Sequence, residues 1–245
     1  MTVHIYILCY NEQVLIQATI DHYKRCFPDC HITIVDNHST DDSGEIAKKN
    51  GCRVIPFKSG EQQDERVMQE VRNNVWKDVE EGWVIMCDMD EWLDVSEDDL
   101  REEERRGTNV LEVRGYEIIG TSRTIDLSDV DIQTFKRGVY DGNMSKRVCF
   151  RRPHIREMRY GLGMHTNDPL PQEGLPVRLS EKKYVLRHMD KLGLEYYFEK
   201  YRKRYERNHL GRQLGFFNGH YTLDTEYLDK VFHDYDKRAE TIQYS

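Results

Sequence analysis

Apolar positions near the start of the chain fall into short blocks, and the blocks alternate between two periods. Val3–Cys9, His31–Val35, Arg53–Phe57 and Trp83–Cys87 are runs of strand length in which consecutive residues are largely apolar, the pattern of strands covered on both faces. Between them, Ile16, Ile20, Tyr23 and Phe27 recur at helical spacing, and Val67, Val71, Val75 and Val79 trace one face of a longer helix. Ser39-Thr40-Asp41-Asp42 supplies helix-capping residue types before Glu45–Lys49, and Gly51 fits a helix stop. Regular alternation of strand and helix predicts an α/β fold with a mostly parallel central sheet and helices on both faces.

Past residue 95 the pattern changes. Glu97–Arg106 reads as a solvated surface helix. Val110–Ile119, Asp131–Lys136, Arg147–Phe150 and Tyr184–Leu186 read as strands. Leu194, Tyr197, Phe198, Tyr201 and Tyr205 make a helical apolar stripe, with Lys200, Lys203 and Arg207 on the other face. Thr222–Asp236 reads as a last helix. No repeat or Pro/Gly-rich linker divides the chain, so 1–245 is expected to be one domain.

Composition removes several function classes. A formal net charge of −8 argues against general nucleic-acid binding. No apolar run has the length to cross a bilayer, and the N-terminus lacks a basic-then-apolar leader pattern. The six cysteines show no Cys-x-x-Cys spacing and read as small buried residues. A reducing cytosol is the expected compartment, with peripheral association at a membrane surface left open.

The candidate chemistry sits where strands end. Cys87-Asp88-Met89-Asp90-Glu91-Trp92 follows the fourth strand. On extended backbone, Asp88 and Asp90 project together and invite a cation between them. Hard oxygen ligands suit Mg²⁺ or Mn²⁺, which in turn suit a diphosphate. A solvated acidic turn is the plain alternative. An EF-hand fails because its glycine and terminal glutamate are missing. Tyr10-Asn11-Glu12 and Asp36-Asn37 follow the first two strands. They offer a stacking ring and hydrogen-bond partners for a base or ribose, or ordinary loop chemistry. Neither Gly-x-Gly-x-x-Gly nor Gly-x-x-x-x-Gly-Lys is present. His165, in a Gly-rich stretch ending at Pro169, and His188, after a short strand, can each serve as metal ligand or base, or be structural.

Taken in order, these segments resemble family-2 glycosyltransferases of the GT-A fold. The likeness rests on Leu8–Glu12, Ile34–Asp41, Arg72–Lys77 and Val84–Glu91. The second half is similar to short bacterial and viral enzymes of capsule or surface glycans. There it rests on Gly163-Met164-His165, Leu186-Arg187-His188, Leu192-Gly193, Tyr197, Tyr201, Arg207-Asn208 and Gly219-His220-Tyr221. The resemblance implies a nucleotide-binding half over 1–95 and an acceptor half over 96–245 that completes the site. It implies donor contacts from Cys9, Tyr10, Asn11, Glu12, Asp36, Asn37, Arg72, Asn73, Asp88 and Met89. Metal ligation would draw on Asp88, Asp90, His165 and His188, with Mn²⁺ or Mg²⁺ as the cofactor. The implied partners are a nucleoside-diphosphate sugar, UDP-linked, and a glycan or glycolipid acceptor, joined with inversion. Met164 and Met189 depart from the pattern, and no clear Glu-Asp pair supplies the base. His165 and Asp168 are therefore the catalytic candidates. A nucleotidyltransferase and a non-catalytic glycan- or nucleotide-binding module are the rival readings.

Overall fold

A computed structural model describes residues 1–59, 63–120, 131–208, 213 and 222–243. The parallel heart of the sheet is made by β1 (Val3–Cys9), β2 (His31–Asp36), β3 (Arg53–Pro56) and β4 (Trp83–Asp88). Their order is β4-β1-β2-β3, every pair parallel. Right-handed crossovers then put α1 (Ile16–Cys26) and α2 (Ser43–Lys49) on one face and α3 (Glu65–Asn74) on the other. The apolar face read from the sequence holds: Ile16, Ile20, Tyr23 and Phe27 are all buried. Gly51 closes α2 with φ +75°, a conformation that suits glycine.

The same sheet continues across residue 95. β5 (Glu91–Asp94) pairs antiparallel with β11 (Leu179–Lys191), and β11 runs parallel to β6 (Val110–Ile119). β7 (Arg137–Tyr140), β8 (Cys149–Arg151) and β12 (Glu240–Thr241) add antiparallel pairs to give ten strands. β9 (Ile155–Glu157) and β10 (Leu170–Pro171) form a separate small hairpin-like pair. The result is a mixed α/β sheet, parallel in its first half. One apolar core runs from Val3 to Ile242, and a smaller cluster around Tyr197 and Phe232 joins α5 (Leu194–Arg207) to α6 (Thr225–Arg238). All six cysteines are free. Among the described residues no helix is long and apolar enough to cross a membrane.

Several elements differ from expectation. The run Asp131–Lys136 is a 3-10 turn, Ile132–Thr134, because the Asp131 carboxylate accepts from Gln133 N and caps it. α3 stops at Asn74 instead of running to Val79. The Trp76 indole N–H donates to Arg72 O and takes a carbonyl the next helical turn would use. α4 (Glu97–Arg106) is solvated except along one line, where Leu100 and Glu103 are buried and Glu103 accepts from the Thr108 and Tyr184 hydroxyls. β5 has no counterpart in the sequence reading. Gly219-His220-Tyr221 lies outside the described residues.

Candidate active site

A cleft of about 880 Å³ opens at the C-terminal ends of β1 and β4. β6 and β11 wall it on one side, α3 on another, and α5 lies across it. This is where an open α/β sheet leaves strand ends uncovered.

The deepest part is a buried ionic cluster. In register, His188 of β11 sits between Glu91 of β5 and Glu117 of β6. His188 Nδ1 bonds Glu117 Oε1 at 2.8 Å, while Nε2 faces Asp90 Oδ2 at 3.3 Å. Two residues along the same strand, Asp190 is 1% exposed and faces the same cleft. α5 supplies the counter-charges. Lys200 Nζ lies 2.6 Å from Asp90 Oδ2, and Arg204 forks between Asp90 Oδ2 at 2.8 Å and Asp190 Oδ1 at 2.9 Å. Lys191 holds Glu117 at 2.9 Å and Asp190 at 3.2 Å. Burial opposes a charge on His188, but Glu117 and Asp90 outweigh it and lift the imidazole to about 10. Burial likewise opposes the Glu117 charge, and His188 with Lys191 overcomes it, bringing the carboxyl down to about 2. Lys200 and His188 hold Asp90 well below the ordinary carboxylate range against the same burial penalty.

Candidate metal-ligand atoms of Asp90, His188 and Asp190 all lie within 4.8 Å of one another. Two carboxylates and an imidazole suit a hard-to-borderline divalent ion such as Mn²⁺. The imidazole is already oriented for it, with Nδ1 fixed on Glu117 and Nε2 turned toward Asp90. Binding would require Lys200 to withdraw and His188 to lose its proton, so two positive charges leave as two arrive.

Asp88 and Asp90 do not share a strand. β4 ends at Asp88, and the chain turns before β5 begins at Glu91. Their carboxylates part accordingly. Asp88 accepts from Arg72 Nη2 through both oxygens, at 3.0 and 3.1 Å, while Asp90 turns to His188 and α5. Arg72 is 2% exposed and also bonds Glu65 at 3.3 Å. Its Nε is buried with no protein partner among the described residues, a donor that a ligand oxygen can satisfy.

Cys9, Tyr10, Asn11, Glu12, Asn37, Arg72, Asp88 and Met89 all line the cleft. The guanidinium of Arg207 lies 3.1 Å over the Tyr10 ring centre. Asn11, with φ +52°, ties loops together: its side-chain oxygen accepts from Thr40 N at 2.7 Å. Glu12, desolvated in the cleft wall, has its carboxyl pushed up by burial, with Lys200 opposing. Asp36 and Asn73 are not among the lining residues. The Asp36 carboxylate accepts from Ser39 Oγ at 2.5 Å and Ser39 N at 3.1 Å, closing its own loop. The Asn73 amide is spent on Gln69 O and on both backbone groups of Tyr160.

His165 and Asp168 part company. His165 lines the cleft, and its Nδ1–H donates to Asn143 O at 2.9 Å, which leaves Nε2 as an acceptor. Burial, then nearby Lys146, pushes this imidazole down, so it is neutral near pH 7. Gly163, at φ +59°, lies so close that an added Cβ would stand 2.8 Å from Nε2. Asp168 has a side chain 79% exposed, pairs with Arg159, and does not line the cleft. Its backbone N–H donates to Met158 O at 3.1 Å and its carboxylate turns outward to Arg159, which is why nearness in sequence to His165 does not bring it in.

Asp190 and Glu117 are the residues that sequence reading missed, while Lys200 and Arg204 fall in Lys200–Arg207, a basic stretch that reads either as steering an anionic ligand or as a solvated face. His188-Met189-Asp190 repeats the i, i+2 spacing of Asp88-Met89-Asp90 and lies on a true strand, so the signal was present. Tyr196, Lys200 and Arg204 are spaced by four, one stripe of α5 facing the cleft.

Residues 4–98 match the family model "Glycosyl transferase family 2". Protein RfbJ of Shigella flexneri is 31% identical over 90 residues, 36% of this chain and 64% of that protein. Among solved structures, S. aureus TarS is similar with a TM-score of 0.49 and 15% identity, over 97% of this chain and 43% of that one. Glucosyl-3-phosphoglycerate synthase from Mycobacterium tuberculosis gives a TM-score of 0.32 and 16% identity, over 47% and 44% of the two chains. The chain thus spans less than two thirds of the length of these relatives. The strands that build the cleft floor and the Asp88–Asp90 turn fall inside the matched segment, so it is the cleft-building half of the chain that is similar to glycosyl transferase family 2.

Proposed function

We propose that the chain moves a sugar from a nucleoside-diphosphate donor, UDP-linked, to a hydroxyl of a glycan or glycolipid acceptor, with inversion. The observation that carries this reading is the buried Asp90–His188–Asp190 cluster in the cleft built on the family-matched strands. Asp90, His188 and Asp190 would hold Mn²⁺ or Mg²⁺, which when bound would offset charge developing on the leaving diphosphate. Tyr10 offers a ring face to the base, and the unpaired Arg72 Nε is available to a donor oxygen.

His165 is the proposed base. Its Nε2 takes the acceptor hydroxyl proton as the oxygen bonds the anomeric carbon from the face opposite the diphosphate. The glycosidic bond forms, the carbon–oxygen bond to the diphosphate breaks, and the diphosphate leaves with the electron pair. The Asn143 carbonyl fixes the tautomer this step needs.

The test is release of free UDP from a panel of UDP-sugars with Mn²⁺ and mixed glycan acceptors. Asp90→Asn should lower release on the order of a hundredfold or more. Pyrophosphate instead of UDP would point to a nucleotidyltransferase, and binding without release would point to a non-catalytic module.

A further inference from the structure

We infer that a second pocket, directly behind the wall that carries His165, is the acceptor subsite and that it takes a sugar bearing an anionic group, a phosphate or a carboxylate. The inference rests on the reading of the main cleft as the donor site. The pocket holds about 610 Å³. His165 lines both spaces, so pocket and cleft meet at its ring, where a sugar seated here can bring a hydroxyl alongside the base.

The partition is one backbone thick. Along Met144-Ser145-Lys146-Arg147 the side chains alternate: Met144 and Lys146 line the cleft, and Ser145 and Arg147 line the pocket. The segment is a run of tight turns, with Lys146 N donating to Met144 O and Val148 N to Lys146 O at 2.9 Å each, and its side chains furnish both spaces.

Among the described residues that line the pocket, Arg114, Arg147 and Lys183 stand with the carboxylate of Glu112. Arg147 is committed to Glu112, with Nε at 2.7 Å. Arg114 is exposed and pairs with no carboxylate among the described residues. Its guanidinium carbon lies 5.0 Å over the Tyr140 ring and 5.6 Å over Tyr116. Stacking occupies the face of the guanidinium and leaves its N–H edges for a forked oxyanion. Tyr140 is 53% exposed at the same mouth, a platform for the apolar face of a sugar ring. Cationic edges beside an open aromatic ring are what an anionic sugar uses and a neutral one does not.

The experiment titrates the intact chain with glucose 6-phosphate, glucuronate and glucose by calorimetry at low salt, and with UDP plus Mn²⁺ in parallel. Both anionic sugars should bind about tenfold more tightly than glucose, and the stronger of the two identifies the group. Arg114→Ala should remove most of that preference, Tyr140→Ala should weaken all three sugars alike, and neither should alter UDP binding. Equal affinity for the three sugars, or a preference untouched by Arg114→Ala, overturns the inference. Absence of UDP binding in the wild type with the anion preference intact overturns the donor reading, and with it the acceptor role. UDP binding with no anion preference rejects the pocket alone.

Discussion

The Lys200 ammonium bridges two buried carboxylates from distant parts of the chain, 2.6 Å from Asp90 Oδ2 and 3.7 Å from Asp190 Oδ1. It occupies the ground a divalent ion would need. Lys200→Met should therefore destabilise the metal-free protein by about 3 kcal/mol, since two buried acids lose a counter-ion. It should also enlarge the rise in melting temperature produced by Mn²⁺, because the competing cation is gone. Thermal melts with and without MnCl₂ check both effects, and an unchanged Mn²⁺ response would dissociate Lys200 from the metal site.

Gly163 holds the His165 ring in place by having no side chain. A Cβ there would meet Cδ2 and Nε2 of His165, each at 2.8 Å, and would sit on backbone at φ +59°. Gly163→Ala should turn the imidazole away from the cleft at a strain cost of about 1 kcal/mol. Sugar transfer should fall about a hundredfold, the scale of losing a general base, while UDP binding is retained. Equal loss of transfer and of UDP affinity would mean the change acts through folding.

Arg72 joins α3 to the end of β4 by holding Glu65 and both oxygens of Asp88. A lysine has one nitrogen and no fork. Arg72→Lys should lose about 3 kcal/mol in urea unfolding. Adding Glu65→Gln should recover part of it, because the unpaired buried acid is then removed. Strict additivity of the two changes would argue against a shared network.

His22 gives the protein an acid-side weakness away from the cleft. The ring stacks on Trp92 at 5.2 Å, and its Nε2 bonds Leu93 O at 3.0 Å. Burial lowers it from 6.5 to about 4, and Asp94 opposes only in part. Arg187 already pairs with that carboxylate at 2.7 Å. Below pH 6.5 the unfolded chain takes up a proton at His22 that the folded chain refuses until about 4. Stability therefore falls with pH across that window, by about 3 kcal/mol from this ring alone. His22→Phe keeps a ring and removes the titration. Its stability difference from wild type should shrink as pH drops from 7 to 4, read by urea unfolding at each pH.

β1, β2, β4 and the buried face of α1 were legible because both faces of each of those strands are covered and the helix shows one clean stripe. The cleft was legible at the strand ends, where Tyr10, Asn37 and Asp88 stand. Asp36 and Asn73 stand outside the cleft lining because their partners, the Ser39 hydroxyl and the Tyr160 backbone, are supplied by loop geometry that a residue list does not contain. Asp90 and Asp190 meet across a hundred residues through the β5–β11 pairing, and β5 is too short to carry a periodic signal. Which stripe of α5 faces the cleft depends on how the helix leaves β11, so Lys200 read from sequence as part of an outer face.

The close approach of Gly115 to Met144 has a bearing on variation in this molecule. A Cβ at Gly115 would stand 2.2 Å from the Met144 carbonyl, so β6 presses the thin partition into its position with nothing between them. Any larger residue at 115 would shift that divider bodily, shrinking one chamber as it widened the other. Changes of ligand size on the two sides are thereby tied together in opposite senses, whereas changes of ligand charge are not, since alternate residues of the divider answer to different chambers.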